Sequence, residues 1–236
     1  MRLLFKILLF FAAVNTFAQD TIPTTARDTV FFSKIDSLYR EDQFYFGLTY
    51  NQLMNTPTGF SQDGISTGIS LGFLRDMPLN KKRTVAVAIG LGLSYNKYHT
   101  DLVASRVAGG TVYGIVDAST FSRNKMEQVF VDVPIEFRWR NSTPESHKFW
   151  RVYTGFKVRY LALGKTKYVS SEETITILNN KDFNKIQFGP YISFGYNTWN
   201  FHAYYGLNSL YKSAKTVDGE SIDFTTLNVG LMFYIL

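Results

Sequence analysis

Val85-Ala86-Val87-Ala88-Ile89-Gly90-Leu91-Gly92-Leu93-Ser94 alternates a large aliphatic residue with Ala, Gly or Ser at every step. In a β-strand successive side chains point to opposite faces, so this segment has one continuous apolar face and one face of very small residues. A soluble sheet would turn the apolar face into a core and place charge on the other. A face of Gly, Ala and Ser fits instead the interior of a narrow barrel, with the apolar face turned to lipid.

The same alternation runs outward from this segment in both directions. Before it, 43–52 places Phe44, Phe46, Leu48 and Tyr50 on one face, and 64–76 alternates Ile65, Ile69, Leu71 and Phe73 with Ser66, Gly68, Ser70 and Gly72. After it, Val129, Val131, Val133, Ile135, Phe137 and Trp139 alternate with Asp132, Glu136, Arg138 and Arg140. Val152, Phe156, Val158 and Tyr160 alternate with Arg151, Tyr153, Lys157 and Arg159. Three further strands complete the pattern: 186–197, then 199–211, in which Tyr204 and Tyr205 fall on both faces, then a last one carrying Leu227, Val229, Leu231, Phe233 and Ile235.

Connections give a second line of evidence. Segments 51–63, 99–127, 165–185 and 212–222 are long and polar, whereas 76–83, 141–149 and 197–200 are short. Four long loops and three short turns fit eight strands with both termini on the side of the short turns. Transmembrane barrels carry long extracellular loops and short periplasmic turns. Trp139, Trp150 and Trp199 then all fall at the periplasmic rim, where indole settles. The predicted fold class is all-β: an eight-stranded antiparallel transmembrane β-barrel. A soluble lipocalin-like barrel has the same strand count but needs its apolar face inside, and the charged face here is the inner one. Lipid offers no partners to an open sheet edge, which demands closure.

Composition agrees. Aromatic residues make up 17% of the chain, with 15 Tyr and 21 Phe, as expected of lipid-facing rings and girdles. The absence of cysteine excludes a disulfide framework and thiol chemistry. The formal charge of +6 is spread over turns and one barrel face without a long cluster, so no nucleic-acid partner is expected.

At the N-terminus, Arg2 and Lys6 precede an apolar run from Ile7 to Val14, and Thr16-Phe17-Ala18 resembles a cleavage site. The run is shorter than the roughly 20 residues of a membrane-spanning helix. Residues 1–18 are therefore expected to be a cleaved signal rather than a retained anchor. Segment 19–41 is expected to be periplasmic. Phe31, Phe32, Ile35 and Leu38 allow a short amphipathic helix there, with a flexible lead-in as the alternative.

Few residues suggest chemistry. An eight-stranded barrel has an interior just wide enough for its own side chains. Asp132, Glu136, Arg138, Lys157 and Arg159 are expected to form a lumenal ladder of mutually neutralising charges, in preference to an ion path or gate. His99, with Asp101 and Ser105 nearby, is the one place where a lipid-modifying His–acid–Ser site could be sought, although spacing in a long loop does not establish one. His147 lies in a polar turn and His202 on an inward face. Asn96 to Thr100, Tyr113 and Tyr168 are expected to supply polar and aromatic surface near the outer rim. No catalytic, cofactor or metal site is expected, and no enzyme.

Two segments carry a family likeness. Arg75-Asp76-Met77-Pro78-Leu79-Asn80-Lys81-Lys82-Arg83 joins a Gly-rich strand to Gly90-Leu91-Gly92-Leu93, and a later strand reads Asp132-Val133-Pro134-Ile135-Glu136-Phe137-Arg138-Trp139-Arg140. With the lead-in Asp42-Gln43-Phe44-Tyr45, they resemble the PorT (SprT) family of Bacteroidota outer-membrane proteins. The resemblance implies a part in type IX protein secretion and, in gliding species, motility, with no catalytic residues to transfer. A plugged barrel implies an accessory or scaffold rather than a conduit, in company with outer-membrane lipids, a larger translocon or barrel-assembly complex, and periplasmic proteins. A general structural or barrel-assembly role is the first alternative, and a lipid-modifying barrel enzyme the second. Arg75, Asp76, Lys81, Lys82 and Arg83 form the candidate periplasmic docking turn. Gly230, Phe233 and Ile235 resemble the terminal signal read by the barrel-assembly machinery, with Leu236 one residue beyond it.

Overall fold

The computed structural model describes residues 42–62, 64–108, 110–141 and 149–235. The expected signal (1–18), the 19–41 segment, His147 and Leu236 lie outside them. Eleven strands occur in chain order among the described residues: β1 (Gln43–Met54), β2 (Thr67–Pro78), β3 (Val85–His99), β4 (Leu102–Val107), β5 (Gly110–Ile115), β6 (Arg123–Arg140), β7 (Trp150–Val169), β8 (Thr174–Leu178), β9 (Ile186–Tyr196), β10 (Trp199–Tyr205) and β11 (Thr225–Ile235). Eight of them form a closed antiparallel ring in the order β6-β3-β2-β1-β11-β10-β9-β7, with β7 pairing back to β6. The wall is thus the expected eight-stranded barrel, and β1 and β11 seal it from Phe44↔Ile235 to Met54↔Thr225.

The faces segregate as the alternation requires. Ile89, Leu91 and Leu93 point outward, as do Ile135, Phe137 and Trp139 on β6, while Ala86, Ala88, Asp132, Glu136 and Arg138 are buried inside. Trp139, Trp150 and Trp199 all stand outward at the short-turn end, and Trp150 and Trp199 pack on Tyr196 and Phe233 at 5.5 and 5.0 Å between ring centroids. Small residues inside make room for large ones from across the wall. The Tyr45 ring lies over Gly72 and Gly92, and Tyr191 lies over Gly155, so a Cβ at any of these positions would run into an aromatic ring or its hydroxyl.

Above the bilayer the strands continue, and two expected loops are built structure. The 99–127 connection holds the β4–β5 hairpin and the first residues of β6, and 165–185 holds the end of β7 and all of β8. The physical reason is a change of surroundings: once the wall meets water, apolar side chains turn inward. Leu53, Tyr98, Met126, Phe130, Leu161, Ile177, Phe183, Leu210, Tyr211 and Phe224 join in one core that caps the extracellular mouth. Tyr113 fastens this cap. Its hydroxyl donates to Asp182 Oδ2 at 2.7 Å and accepts from Asn180 Nδ2 at 2.6 Å.

The parity of β7 changes where this transition occurs. Phe130 faces Leu161 and Val129 faces Leu163, so Ala162 is an extra residue in the ladder. Such a bulge bends a strand and re-aims the side chains beyond it. Below it Val158 and Tyr160 are exposed on the outer face, and past it Leu163 takes that face.

Candidate functional site

The barrel interior is the most concentrated chemistry in the molecule. At its periplasmic end Asp76 Oδ1 accepts from Arg138 Nη1 at 3.0 Å and from Arg140 Nη1 at 2.9 Å, and Asp76 Oδ2 accepts from Arg140 Nη2 at 2.8 Å. Arg138 Nε also donates to Glu136 Oε2 at 2.8 Å, and Glu136 Oε1 accepts from the Tyr191 hydroxyl at 3.0 Å. One layer up, Asp132 Oδ1 accepts from Arg159 Nε at 3.3 Å, with Lys157 Nζ at 3.9 Å from the other oxygen. Arg159 Nη2 donates to Ser94 Oγ at 2.9 Å.

The register explains this grouping. Asp132 stands opposite Arg159 across β6 and β7, whereas Glu136 stands opposite Gly155. The ladder therefore forms at Asp132, Lys157 and Arg159, but Glu136 pairs with Arg138 on its own strand. Asp76 belongs to this interior cluster and not to the docking turn, because β2 runs two residues further than the sequence pattern suggests and its side chain is fully buried. Arg140, inward by alternation but outside the expected ladder, is the second cation on Asp76.

Cations outnumber carboxylates in this interior. Arg138, Arg140, Arg151, Lys157 and Arg159 are buried with Asp76, Asp132 and Glu136. Aromatic faces absorb part of the excess: Arg151 lies 4.6 Å from the Phe149 ring centroid, and Lys157 lies 5.1 Å from that of Tyr191. Buried ion pairs add little stability over apolar packing, but loss of one partner is costly, so such a network fixes register more than it adds strength. Two internal cavities of about 20 and about 10 Å³ are lined by residues including Lys157 and His202. Neither has room for more than about one water.

The remainder of the expected turn is at the periplasmic surface. Asn80 closes it, accepting from Val85 N at 3.1 Å, and Lys81 and Lys82 are exposed. Arg83 is half-buried, has a positive φ of 60° and accepts at its carbonyl from Arg140 Nε at 2.9 Å. Arg75 points outward and pairs with Asp42 at 2.9 Å. The turn is thereby tied through Arg83 and Arg140 to the buried Asp76 cluster.

Gly230, Phe233 and Ile235 sit on the seam strand β11. Gly230 faces Thr49 on β1, and Phe233 stacks with Phe46 and meets Trp199 edge-on. His99 does not gather the residues considered with it. Its backbone N–H donates to Ser66 Oγ at 3.0 Å, Asp101 Oδ2 accepts from Ser61 N at 2.7 Å, and Ser105 pairs with Val112 in the hairpin. His202 is buried with Nδ1 2.8 Å from Ser193 Oγ. Among the described residues no group of three or more His, Cys, Asp or Glu is placed to hold a metal ion.

A family model described as an outer membrane protein beta-barrel domain matches residues 17–212. The chain belongs to this family. Its strands therefore cross the outer membrane, with the long connections extracellular. Among solved structures the barrel is similar to Ail, the attachment invasion locus protein of Yersinia pestis, at 14% identity and a TM-score of 0.38, covering 82% of this chain and 99% of that one. It is also similar to a mutant porin of Rh. blastica, at 9% identity and a TM-score of 0.22 with the same coverage. No curated protein matches. Neither structural likeness bears on what this barrel binds.

Proposed function

We propose that the barrel is a non-catalytic scaffold or accessory of type IX protein secretion, reaching the outer membrane after signal-directed export across the inner membrane. The filled lumen carries this reading. A layer of paired charges, an apolar cap over the extracellular mouth and residual cavities of about 20 and 10 Å³ leave no route for a polypeptide. A barrel that cannot be the conduit acts through its surfaces. The family resemblance of the 75–83 turn supplies the secretion context, and the exposed Lys81 and Lys82 are the part of that turn available to an acidic periplasmic partner. Arg75 and Arg83 flank them, with Arg83 anchored from below by Arg140.

The test is a deletion strain with supernatant, periplasm and outer membrane compared by quantitative proteomics. Cargo trapped in the periplasm at normal levels of other barrels supports the proposal. A general fall in outer-membrane proteins points instead to barrel assembly, and unchanged fractions overturn the secretion role. Within that system, replacing Lys81, Lys82 and Arg83 by Gln is expected to reduce secreted cargo without lowering barrel abundance. Unchanged secretion removes the turn as the docking surface.

A further inference from the structure

Above the apolar belt, the outer wall of three adjoining strands turns basic. The register sets Lys97, Glu127 and Lys165 side by side on β3, β6 and β7, and His99, Lys125 and Lys167 in the next row out. Arg123, opposite Val169, begins a third row. Rows lie about 7 Å apart along the strands and neighbours about 4.8 Å apart across them. All these positions share the outer face: those on β3 and β6 keep the parity of Leu93 and Val131, and the Ala162 bulge swings Lys165 and Lys167 onto the same face as Leu163.

One carboxylate organises the patch. Glu127 pairs with Lys125 at 2.7 Å and with Lys165 at 3.7 Å, and accepts from the Tyr95 hydroxyl at 2.7 Å. Lys97, Arg123 and Lys167 have no carboxylate within pairing distance among the described residues. Lys97 lies two residues before His99 on β3, Lys125 stands directly opposite His99 on β6, and Arg123 lies two residues before Lys125 on the same face. Glu172 and Glu173 stand further out, at the tip of the β7–β8 turn. Directly beneath the basic rows the wall is apolar, with Tyr95, Val129 and Leu163 in one row and Leu93, Val131 and Tyr160 in the next.

We propose that this wall binds the phosphorylated glycolipid of the outer leaflet, its acyl chains on the lower two rows and its phosphates among Lys97, Arg123, Lys125, Lys165 and Lys167. The vertical order of the two chemistries selects the ligand. An acidic protein or a nucleic acid would be served by cations on the loop tips, whereas these cations lie on the lipid-facing wall immediately above aliphatic side chains. Only a molecule that carries anionic groups directly over hydrocarbon meets both. Glu127 holds Lys125 and Lys165 beside one carboxylate, so the site is partly organised before binding. This inference does not depend on the role in secretion.

The test uses the full chain refolded in neutral detergent, titrated with bis-phosphorylated lipid A, its dephosphorylated form or inorganic phosphate, and read by native mass spectrometry. The phosphorylated lipid is expected to stay bound and the dephosphorylated one to be lost. Each cation near an anionic surface contributes roughly fivefold in affinity, so Lys97→Gln, Arg123→Gln and Lys125→Gln combined should weaken binding on the order of a hundredfold. Lys181→Gln, Lys212→Gln and Lys215→Gln on the exposed loops should leave it unchanged. If the first triple variant fails the heat-modifiable gel shift of a folded barrel, Lys165→Gln with Lys167→Gln is read instead, with a loss of roughly 25-fold expected. Equal binding of the dephosphorylated lipid, equal loss in the loop variant, or displacement of the lipid by an equal concentration of inorganic phosphate would overturn the proposal.

Discussion

Replacing Asp76 by Asn changes one atom in the wall and strips two buried guanidinium groups of their shared anion. Both Asp76 oxygens are used: Oδ1 by Arg138 and Arg140 at 3.0 and 2.9 Å, Oδ2 by Arg140 at 2.8 Å. The amide keeps one acceptor and presents a donor to the other guanidinium contact. The side chains of Asp76, Arg138 and Arg140 have no exposed surface, so solvent cannot take the anion's place. Breaking a buried pair in this way costs about 3–5 kcal/mol. With a urea slope of about 2 kcal/mol/M, the unfolding midpoint of the refolded barrel should fall by about 2 M. The neighbouring residue is the control. Arg75 points outward, and its pair with Asp42 leaves half of the arginine exposed, so Arg75→Gln should cost at most about 1 kcal/mol. Tryptophan fluorescence across a urea series in lipid vesicles reads both variants. A midpoint shift for Asp76→Asn no larger than that for Arg75→Gln would refute the assignment of Asp76 to the interior network.

Gly92→Val should abolish refolding, read as loss of the heat-modifiable band, because a side chain there would meet both the Tyr45 hydroxyl and the Leu71 backbone carbonyl; Tyr45→Ala relieves only the first and should not restore the band. Tyr113→Phe removes the donor to Asp182 and the acceptor for Asn180, a loss of about 1–3 kcal/mol confined to the extracellular cap. Trypsin should then cut the loops faster while the strands stay protected. Burial first, then Tyr211 and Asp182, holds the Tyr113 hydroxyl protonated above its ordinary value of 10.0, and burial followed by Asp182 does the same for Tyr211. A folded pKa raised in this way stabilises the cap fully below pH 10, and that contribution is lost as pH rises toward the folded values. Loop proteolysis should accelerate from about pH 10 upward, with tyrosinate absorbance at 295 nm appearing later for these two residues than for exposed ones.

The fold was legible because lipid makes the alternation simple: within the membrane belt outward positions are mainly apolar, from Phe44 on the first strand to Ile235 on the last, and the eight strands of the ring follow from them. The same rule hid the rest. Above the bilayer the inward face is the apolar one, so the cap residues Met126 and Ile177 sit in segments whose outward side chains are Lys125, Glu127 and Thr176, and these read as loop. The Ala162 bulge flips the parity of β7 midway, which concealed its last residues and the outward placement of Lys165 and Lys167. The interior pairs were half visible. Strand order brings β6 beside β7 and so gives Asp132 with Arg159. The partnership of Asp76 with Arg138 and Arg140 depends on β3 lying between β2 and β6 with Ala86 and Ala88 small enough to let the long side chains reach across. The Arg75-Asp76 step also looked like a turn, although the strand carries on to Pro78.

A closed lumen leaves the barrel to work through its surfaces. Conductance of the full chain, inserted in planar bilayers under symmetric salt, tests it most directly. The closed lumen should give no steady ion steps over a wide voltage range, including after the extracellular loops have been trimmed by trypsin, since the Asp76–Arg138–Arg140 and Asp132–Arg159 layers lie inside the wall. Regular, voltage-independent steps from the untreated protein would contradict it.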